Sequence, residues 1–285
     1  MNARIRIGSF QGPIIDNDFD KNLDSLKQIL IKTSEKNLDF LCFPETYLSG
    51  YSQQAARESS VLINDPRLLE FMRFSTAFDT VILVGLCERD GDKIYNTHMV
   101  VYQGNLLGKY RKKMLTDEDK LVFSTDLDFP VFEAKGVKFG VVICADTSYV
   151  EPALLLRWKG ARLLFTPHYN DIPPAGIETS DGKVTFWEHR SMVLNNQAAL
   201  ATLLKMVVVR SNVVIVRENH LGSGDAAIWD MNGEVIARGI PFTESVVMAE
   251  FDRTIFEKEN WIDRKEVPVE LLNQIAQAAG EFLKK

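Results

Sequence analysis

Three side chains of complementary chemistry hold the same kind of position along this chain. Glu45 follows the apolar run 38–43, Lys112 follows 106–110, and Cys144 follows the β-branched run 141–143. Residues just past strand ends on one edge of a sheet meet in space, and in α/β folds that edge is where sites form. A carboxylate, an ammonium and a thiol meeting there make a nucleophilic centre. A thiol with a pKa of about 8.5 is only a few per cent thiolate at pH 7, so it needs a base nearby. The carboxylate can take the thiol proton during attack and return it to a leaving amine. The ammonium keeps that carboxylate ionised and stabilises the oxyanion of a tetrahedral intermediate, where losing one donor costs roughly 2.7–4 kcal/mol.

Around Cys144 the pattern is a buried strand, a turn of small residues (Ala145 to Ser148) and a helix from Ala153 to Trp158. Free N–H groups at a helix start favour an anion such as a thiolate. The same stretch also suits a cysteine packed as a small core residue. Cys42 and Cys87 lie inside apolar strands and are expected to be core residues of that kind.

The elements that must position these groups read as a mixed α/β pattern. Strands are expected over 4–10, 38–43, 81–88, 94–102, 106–110, 141–143, 162–166, 212–217 and 245–251. A hairpin turns at Asn232-Gly233. Helices are expected near 20–33, around Leu68, Leu69, Phe71 and Met72, and over 184–206. The 184–206 helix carries Trp187, Met192, Leu194, Ala198, Leu200, Leu203 and Leu204 at helical spacing. Hairpins interrupt the alternation of strands and helices, which argues against a pure Rossmann or barrel order. One domain over 1–285 is expected, with 252–285 a tail ending in an amphipathic helix over 266–285.

Composition narrows the class. At 285 residues the chain can bury a sizeable core. A net charge of −6 argues against nucleic acid or an anionic membrane as partner. No apolar run reaches the ~18 residues that span a bilayer, and the N-terminus alternates like a strand rather than a signal peptide. Three scattered cysteines form neither a disulfide framework nor a metal pattern, so a reducing cytoplasm is expected.

With these residues in place the chain resembles the nitrilase superfamily of carbon–nitrogen hydrolases over about residues 5–251. The motifs are Phe43-Pro44-Glu45 with Gly50-Tyr51, Gly108-Lys109-Tyr110-Arg111-Lys112, and Ile143-Cys144-Ala145-Asp146 with Glu151, Gly160-Ala161 and Pro167. Gln11 and Asn22 also stand where the family tends to place them. The resemblance implies a four-layer αββα sandwich of two mixed sheets with helices outside. It implies Glu45 as general base, Lys112 as oxyanion stabiliser, Cys144 as the acylated nucleophile and the Ala145 N–H as a second oxyanion donor. Lys113 is an alternative to Lys112.

The family's second glutamate falls here at Asp119, with Glu118 beside it. Either could orient Lys112 and contact substrate, and the longer Glu118 is favoured. His168, after Pro167, is expected at the pocket rim within reach of substrate. His98 is expected to be structural.

The implied activity is an amidase or N-carbamoyl amidase that cleaves a small linear substrate through a thioester, without metal or cofactor. Alternatives are a nitrilase and a non-catalytic binding member. Cys144-Ala145-Asp146 resembles the amide-cleaving branches rather than the Trp-Glu pair of nitrilases. The pocket loops carry little positive charge, which points to a neutral or cationic substrate. The resemblance also implies a homodimer or higher homo-oligomer, with the tail suited to subunit contacts.

Overall fold

The computed structural model describes residues 3–179, 182–217, 219–257 and 268–282. The first strands are β1 (Arg4–Gly12), β2 (Phe40–Cys42), β3 (Val81–Asp90), β4 (Lys93–Tyr102) and β5 (Asn105–Arg111). Then come β6 (Phe132–Ala134), β7 (Val137–Val141), β8 (Leu163–Pro167), β9 (Ile177–Thr179) and β10 (Gly182–Val184). The last are β11 (Val207–Val216), β12 (Leu221–Ser223), β13 (Ala227–Trp229), β14 (Val235–Arg238) and β15 (Ser245–Asp252). The first helices are α1 (Phe19–Thr33), α2 (Gln53–Glu58), α3 (Pro66–Ser75) and α4 (Val150–Trp158). They are followed by α5 (Phe186–Leu204), α6 (Thr254–Glu257) and α7 (Val269–Phe282).

Period-two alternation in strands apolar on both faces builds the layers. Ile5, Ile7, Phe40, Cys42, Val81, Leu83 and Val100 point into one core. Their neighbours Leu41, Ile82, Val84, Met99 and Val101 join Leu23, Leu26 and Leu30 of α1 and Leu68 and Phe71 of α3 in another. Across the first core the Phe40 ring meets Phe139 of β7 at 5.3 Å and Phe165 of β8 at 5.8 Å, so two sheets stack face to face. On the far side α4 packs on β7, and α5 packs on β11 and β13. The order of layers is helices, sheet, sheet, helices. Each fully buried Leu, Ile or Phe in these cores contributes roughly 1.5–3 kcal/mol.

One sheet runs β5-β4-β3-β2-β1-β15 and the other β6-β7-β8-β11-β13-β14. They are not separate. The long strand β11 pairs β8 through Val207 to Ser211, then continues to pair β1 at Asn212 and Val213. Gln11 sits buried at this seam, donating to the Ile240 and Thr243 carbonyls and accepting from Ala226 N.

Local signals set the helix starts. Asp18 caps α1, Asp65 precedes Pro66 at the head of α3, and Thr185 and Glu188 form a capping box on α5. Some apolar positions of these helical patterns are exposed: Leu69 on α3, and Trp187, Met192 and Leu203 on α5. Apolar residues are spread around α5, but only one of its faces can meet the sheet. The stretch after Tyr169 contains the short hairpin of β9 and β10. Strand pairing toward Cys144 ends at Val141, with Val142 N still donating to Phe165 O at 3.0 Å. Of the tail helix expected over 266–285, residues 269–282 are helical, and 266, 267 and 283–285 lie outside the described residues.

Candidate active site

The Glu45 turn leaves β2 after Phe43, whose N–H donates to Leu83 O at 2.8 Å. Thr46 then takes φ 46°, and the turn lies flat on β3 at Gly85. A Cβ at Gly85 would stand 2.3 Å from Thr46 N, so only glycine admits the turn there. The Glu45 side chain is fully buried and every partner is specific. Oε1 accepts from Asn96 Nδ2 at 2.7 Å and from Lys112 Nζ at 2.8 Å, and Oε2 accepts from Tyr169 N at 2.8 Å.

Lys112 leaves the end of β5 with its N–H on Asn96 O at 2.9 Å. Its fully buried ammonium bridges two carboxylates, Glu45 Oε1 and Asp119 Oδ2, each at 2.8 Å. Burial works against this charge. The Glu45 and Asp119 carboxylates outweigh it, and hold the Lys112 pKa well above its ordinary value. Lys113 turns the other way, to Asp126 and the rings of Tyr110 and Phe129.

The choice between Glu118 and Asp119 goes against the longer side chain. Glu118 is exposed, whereas Asp119 is buried and accepts from Tyr51 OH at 2.7 Å and Thr116 N at 3.0 Å as well as meeting Lys112. A 3-10 turn over Asp119–Leu121 carries the backbone inward, so the shorter side chain reaches the ammonium.

Cys144 opens a 3-10 turn, Cys144–Ser148, in a left-handed conformation with φ 46°. Such a φ is uncommon outside glycine and costs energy that the surroundings must over-determine. Asp146 supplies that hold. Its fully buried carboxylate accepts from Ile143 N at 2.8 Å and Tyr110 OH at 2.8 Å on one oxygen. The other oxygen accepts from Lys113 N at 3.1 Å and Met114 N at 2.6 Å. One side chain thus ties the cysteine turn to the end of the lysine strand. Ala145 is next in the turn, where the first N–H groups have no partner within the turn itself.

Burial first, and then the Glu45 charge, push the Cys144 thiol pKa up. Lys112 and the Tyr169 N–H pull in the other direction without cancelling this. The resting sulfur is therefore a thiol, and attack needs a base. Asn170 Nδ2 faces Cys144 Sγ at 3.7 Å. The Tyr51 and Tyr169 rings stack at 4.8 Å beside the cluster.

His168 does not stand at the rim. It is buried, with Nδ1 at 2.8 Å from Thr166 O and Nε2 at 3.4 Å from Thr147 Oγ1. Burial, and then Arg210, hold its pKa well below the ordinary value, so the ring is neutral. Its main chain joins the site walls, with Glu45 N donating to His168 O at 3.3 Å and His168 N to Ser211 O at 2.9 Å. The ring is packed because Pro167 ends a strand buried on both faces. His98 is also buried, its pKa depressed to about 3 by burial.

Several site residues carried no motif. Asn96 has a sequence signal, being a polar residue disfavoured in strands yet set inside an apolar one. Asn170 and Arg210 have none, because their roles arise from contacts between distant segments. Loop composition also gave no hint that a buried cation, Arg210, stands behind the site.

The chain matches the carbon–nitrogen hydrolase family over residues 6–257. It is 32% identical over 154 residues to a protein of Pyrococcus abyssi named nitrilase, a match covering 52% of this chain and 58% of that protein. It is 25% identical over 262 residues to N-carbamoylputrescine amidase of Arabidopsis thaliana, covering 86% of each. Among solved structures it superposes on Nit3 of Saccharomyces cerevisiae, a member of branch 10 of the nitrilase superfamily. That match has a TM-score of 0.75 at 21% identity and covers 90% of this chain and 93% of that one. The chain belongs to the carbon–nitrogen hydrolase family.

Proposed function

We propose that the protein is an amidase or N-carbamoyl amidase acting on a small linear substrate through a Cys144 thioester. The observation that carries this reading is the buried Glu45–Lys112–Asp119 cluster beside a cysteine on a left-handed turn. Glu45 takes the Cys144 proton as sulfur attacks the carbonyl carbon, and the oxyanion is met by Lys112 Nζ and the Ala145 N–H. Glu45 then returns the proton to the departing ammonia or amine, leaving the thioester. Water, activated by the same carboxylate, attacks the thioester carbon and releases the acid and the free thiol. Asp119 keeps Lys112 aimed between the two carboxylates.

The Cys144-Ala145-Asp146 sequence and the full-length likeness to a carbamoyl amidase favour an amide or ureido substrate over a nitrile. The test is ammonia release from paired amides, N-carbamoyl amines and nitriles of equal chain length, with intact mass read during turnover. An acyl adduct on Cys144 with the amide or ureido compound supports the proposal. Turnover of the nitrile alone overturns it in favour of a nitrilase.

We also propose that the chain works as a homodimer or larger homo-oligomer. Exposed apolar side chains on α5 (Trp187, Met192) and α7 (Leu271, Leu272, Ile275) support this. A strict monomer by light scattering at micromolar concentration would count against it.

A further inference from the structure

Arg210 on β11 is a cation in the wrong place for packing. It is only 3% exposed, and among the described residues its guanidinium hydrogen-bonds no carboxylate oxygen. Nη1 donates to Gly224 O at 2.7 Å and Asp225 O at 2.8 Å, and Nη2 donates to Asn170 Oδ1 at 2.9 Å. Nε has no partner among the described residues. The nearby Asp225 carboxylate is already held by Arg190, Arg238 and Ser223. Burial depresses the Arg210 pKa to about 10, which still leaves it charged at neutral pH. A buried charge without a paired carboxylate is costly, and a neutral donor could brace two carbonyls at less cost.

What a guanidinium does here that a neutral amide would not do is fix the direction of Asn170. A side-chain amide presents either oxygen or NH₂ to a neighbour, and its other partners decide which. Arg210 can only donate, so the Asn170 oxygen must face it and the NH₂ must face the other way. The other way is Cys144 Sγ, 3.7 Å from Nδ2. The Asn170 backbone is held as well, its N–H on Asn212 Oδ1 at 2.8 Å. Asn170 and Arg210 both border one small cavity of about 20 Å³, and the Arg210 donor decides which end of the amide faces it.

We propose that Arg210 is a positioning residue that acts on Cys144 through Asn170, locking an N–H donor against the sulfur so that the thiolate formed during attack is stabilised. This rests on the reading of Cys144 as nucleophile. The charged groups around the sulfur are Glu45 from the turn after β2, Lys112 after β5, Asp119 from its 3-10 turn and Arg210 from β11. Tyr51 and His168 are present uncharged. Glu45 and Asp119 oppose the thiolate, while Lys112 and Arg210 favour it. Arg210 differs from Lys112 in working one side chain removed, by orientation as well as by charge.

The test is the pH dependence of iodoacetamide alkylation of the full-length protein, read by intact mass. It needs no substrate. Cys42 and Cys87 are fully buried, and Cys144→Ser supplies the background rate. Arg210→Met is expected to move the alkylation midpoint up by roughly one pH unit, the size of a lost hydrogen bond to a charged sulfur. Asn170→Ala should move it similarly, and the double variant no further than Asn170→Ala alone. Asn170→Asp, which turns an oxygen toward the sulfur, should move it further upward.

If Arg210 only braced the Gly224-Asp225 turn, Arg210→Met would lower melting temperature but leave the midpoint in place, and the double variant would add the two defects. Either result overturns the proposal. Should Arg210→Met fail to fold, Arg210→Lys keeps the charge but loses the planar fork that spans the two carbonyls and Asn170. A smaller upward shift, absent on the Asn170→Ala background, is then expected, and no shift overturns the proposal. If no covalent adduct forms on Cys144 with any of the amide, carbamoyl or nitrile substrates, the nucleophile reading falls and this inference with it. If the adduct forms but the Arg210 variants keep the wild-type alkylation midpoint, only this inference falls.

Discussion

Among the described residues two glutamates are buried against cations, and only one belongs to the candidate site. Glu88 on β3 is 1% exposed and is gripped by Lys109, by Arg111 through two nitrogens at 2.8 and 2.9 Å, and by Thr97 Oγ1 at 2.8 Å. Glu45 is as buried and has a lysine at 2.8 Å. The difference lies in what the cation does next. Lys109 and Arg111 come in from the surface, Arg111 is covered by the Tyr95 ring at 3.6 Å, and Arg111 goes on to Asp90 and Asp126 rather than to Cys144. Lys112 is fully enclosed, shared between Glu45 and Asp119, and coupled to a sulfur on a left-handed turn. A buried ion pair is therefore a poor marker of chemistry by itself. An ion pair with a second carboxylate and an adjacent nucleophile is a better one.

The comparison predicts that damage to the two networks will separate activity from stability. The largest effect is expected at Lys112→Met. It leaves two buried carboxylates facing each other without their shared cation and removes the proposed oxyanion donor. Turnover should fall by at least about 10²–10³-fold, and stability by roughly 3–5 kcal/mol. Denaturant titration beside ammonia release reads both. Glu45→Gln should lose activity comparably with a smaller stability cost, because a neutral amide still accepts from Lys112.

Glu88→Gln should do the reverse, losing up to about 3 kcal/mol while turnover at low temperature stays within roughly twofold. Burial raises the Glu88 pKa, but Arg111, Lys109 and Thr97 more than offset it, so the folded value lies below the unfolded one. The stabilisation is thus fully present above the unfolded carboxylate pKa of about 4.3 and is lost as pH falls through the lower folded value. The variant's melting temperature should consequently drop less than the wild type's between pH 7 and acid.

Smaller still is Asp119→Asn, expected to cost about tenfold in turnover by loosening Lys112 while leaving it charged. Smallest is Glu118→Gln, expected to change turnover by less than about twofold because that side chain is in solvent. Equal losses at 118 and 119 would contradict the geometry that separates them.

Much of this was legible without coordinates. Runs of apolar residues broken by Pro44, by Arg111-Lys112 and by Cys144-Ala145 mark strand ends, and strand ends place Glu45, Lys112 and Cys144 on one edge. Alternation within residues 38–43 and 81–84 already requires two apolar layers. The capping residues Asp18, Asp65 and Thr185 mark helix starts locally. These are properties of neighbours in the chain, set by side-chain period and backbone preference.

Contacts between distant segments were not legible, and they decide which polar atom meets which. Asp119 rather than Glu118 reaches Lys112 because a 3-10 turn aims one inward and the next outward. Asn96 reaches Glu45 across 51 residues, and Tyr169 N reaches it across 124. His168 reads as a rim residue but is sealed beneath the site, because β8 is covered on both faces. Arg210 stands 40 residues from the amide it orients. Periodicity says which face of an element a residue occupies. The partner on that face is chosen by how sheets and turns pack, where burying a polar group without a partner costs more than most local preferences are worth.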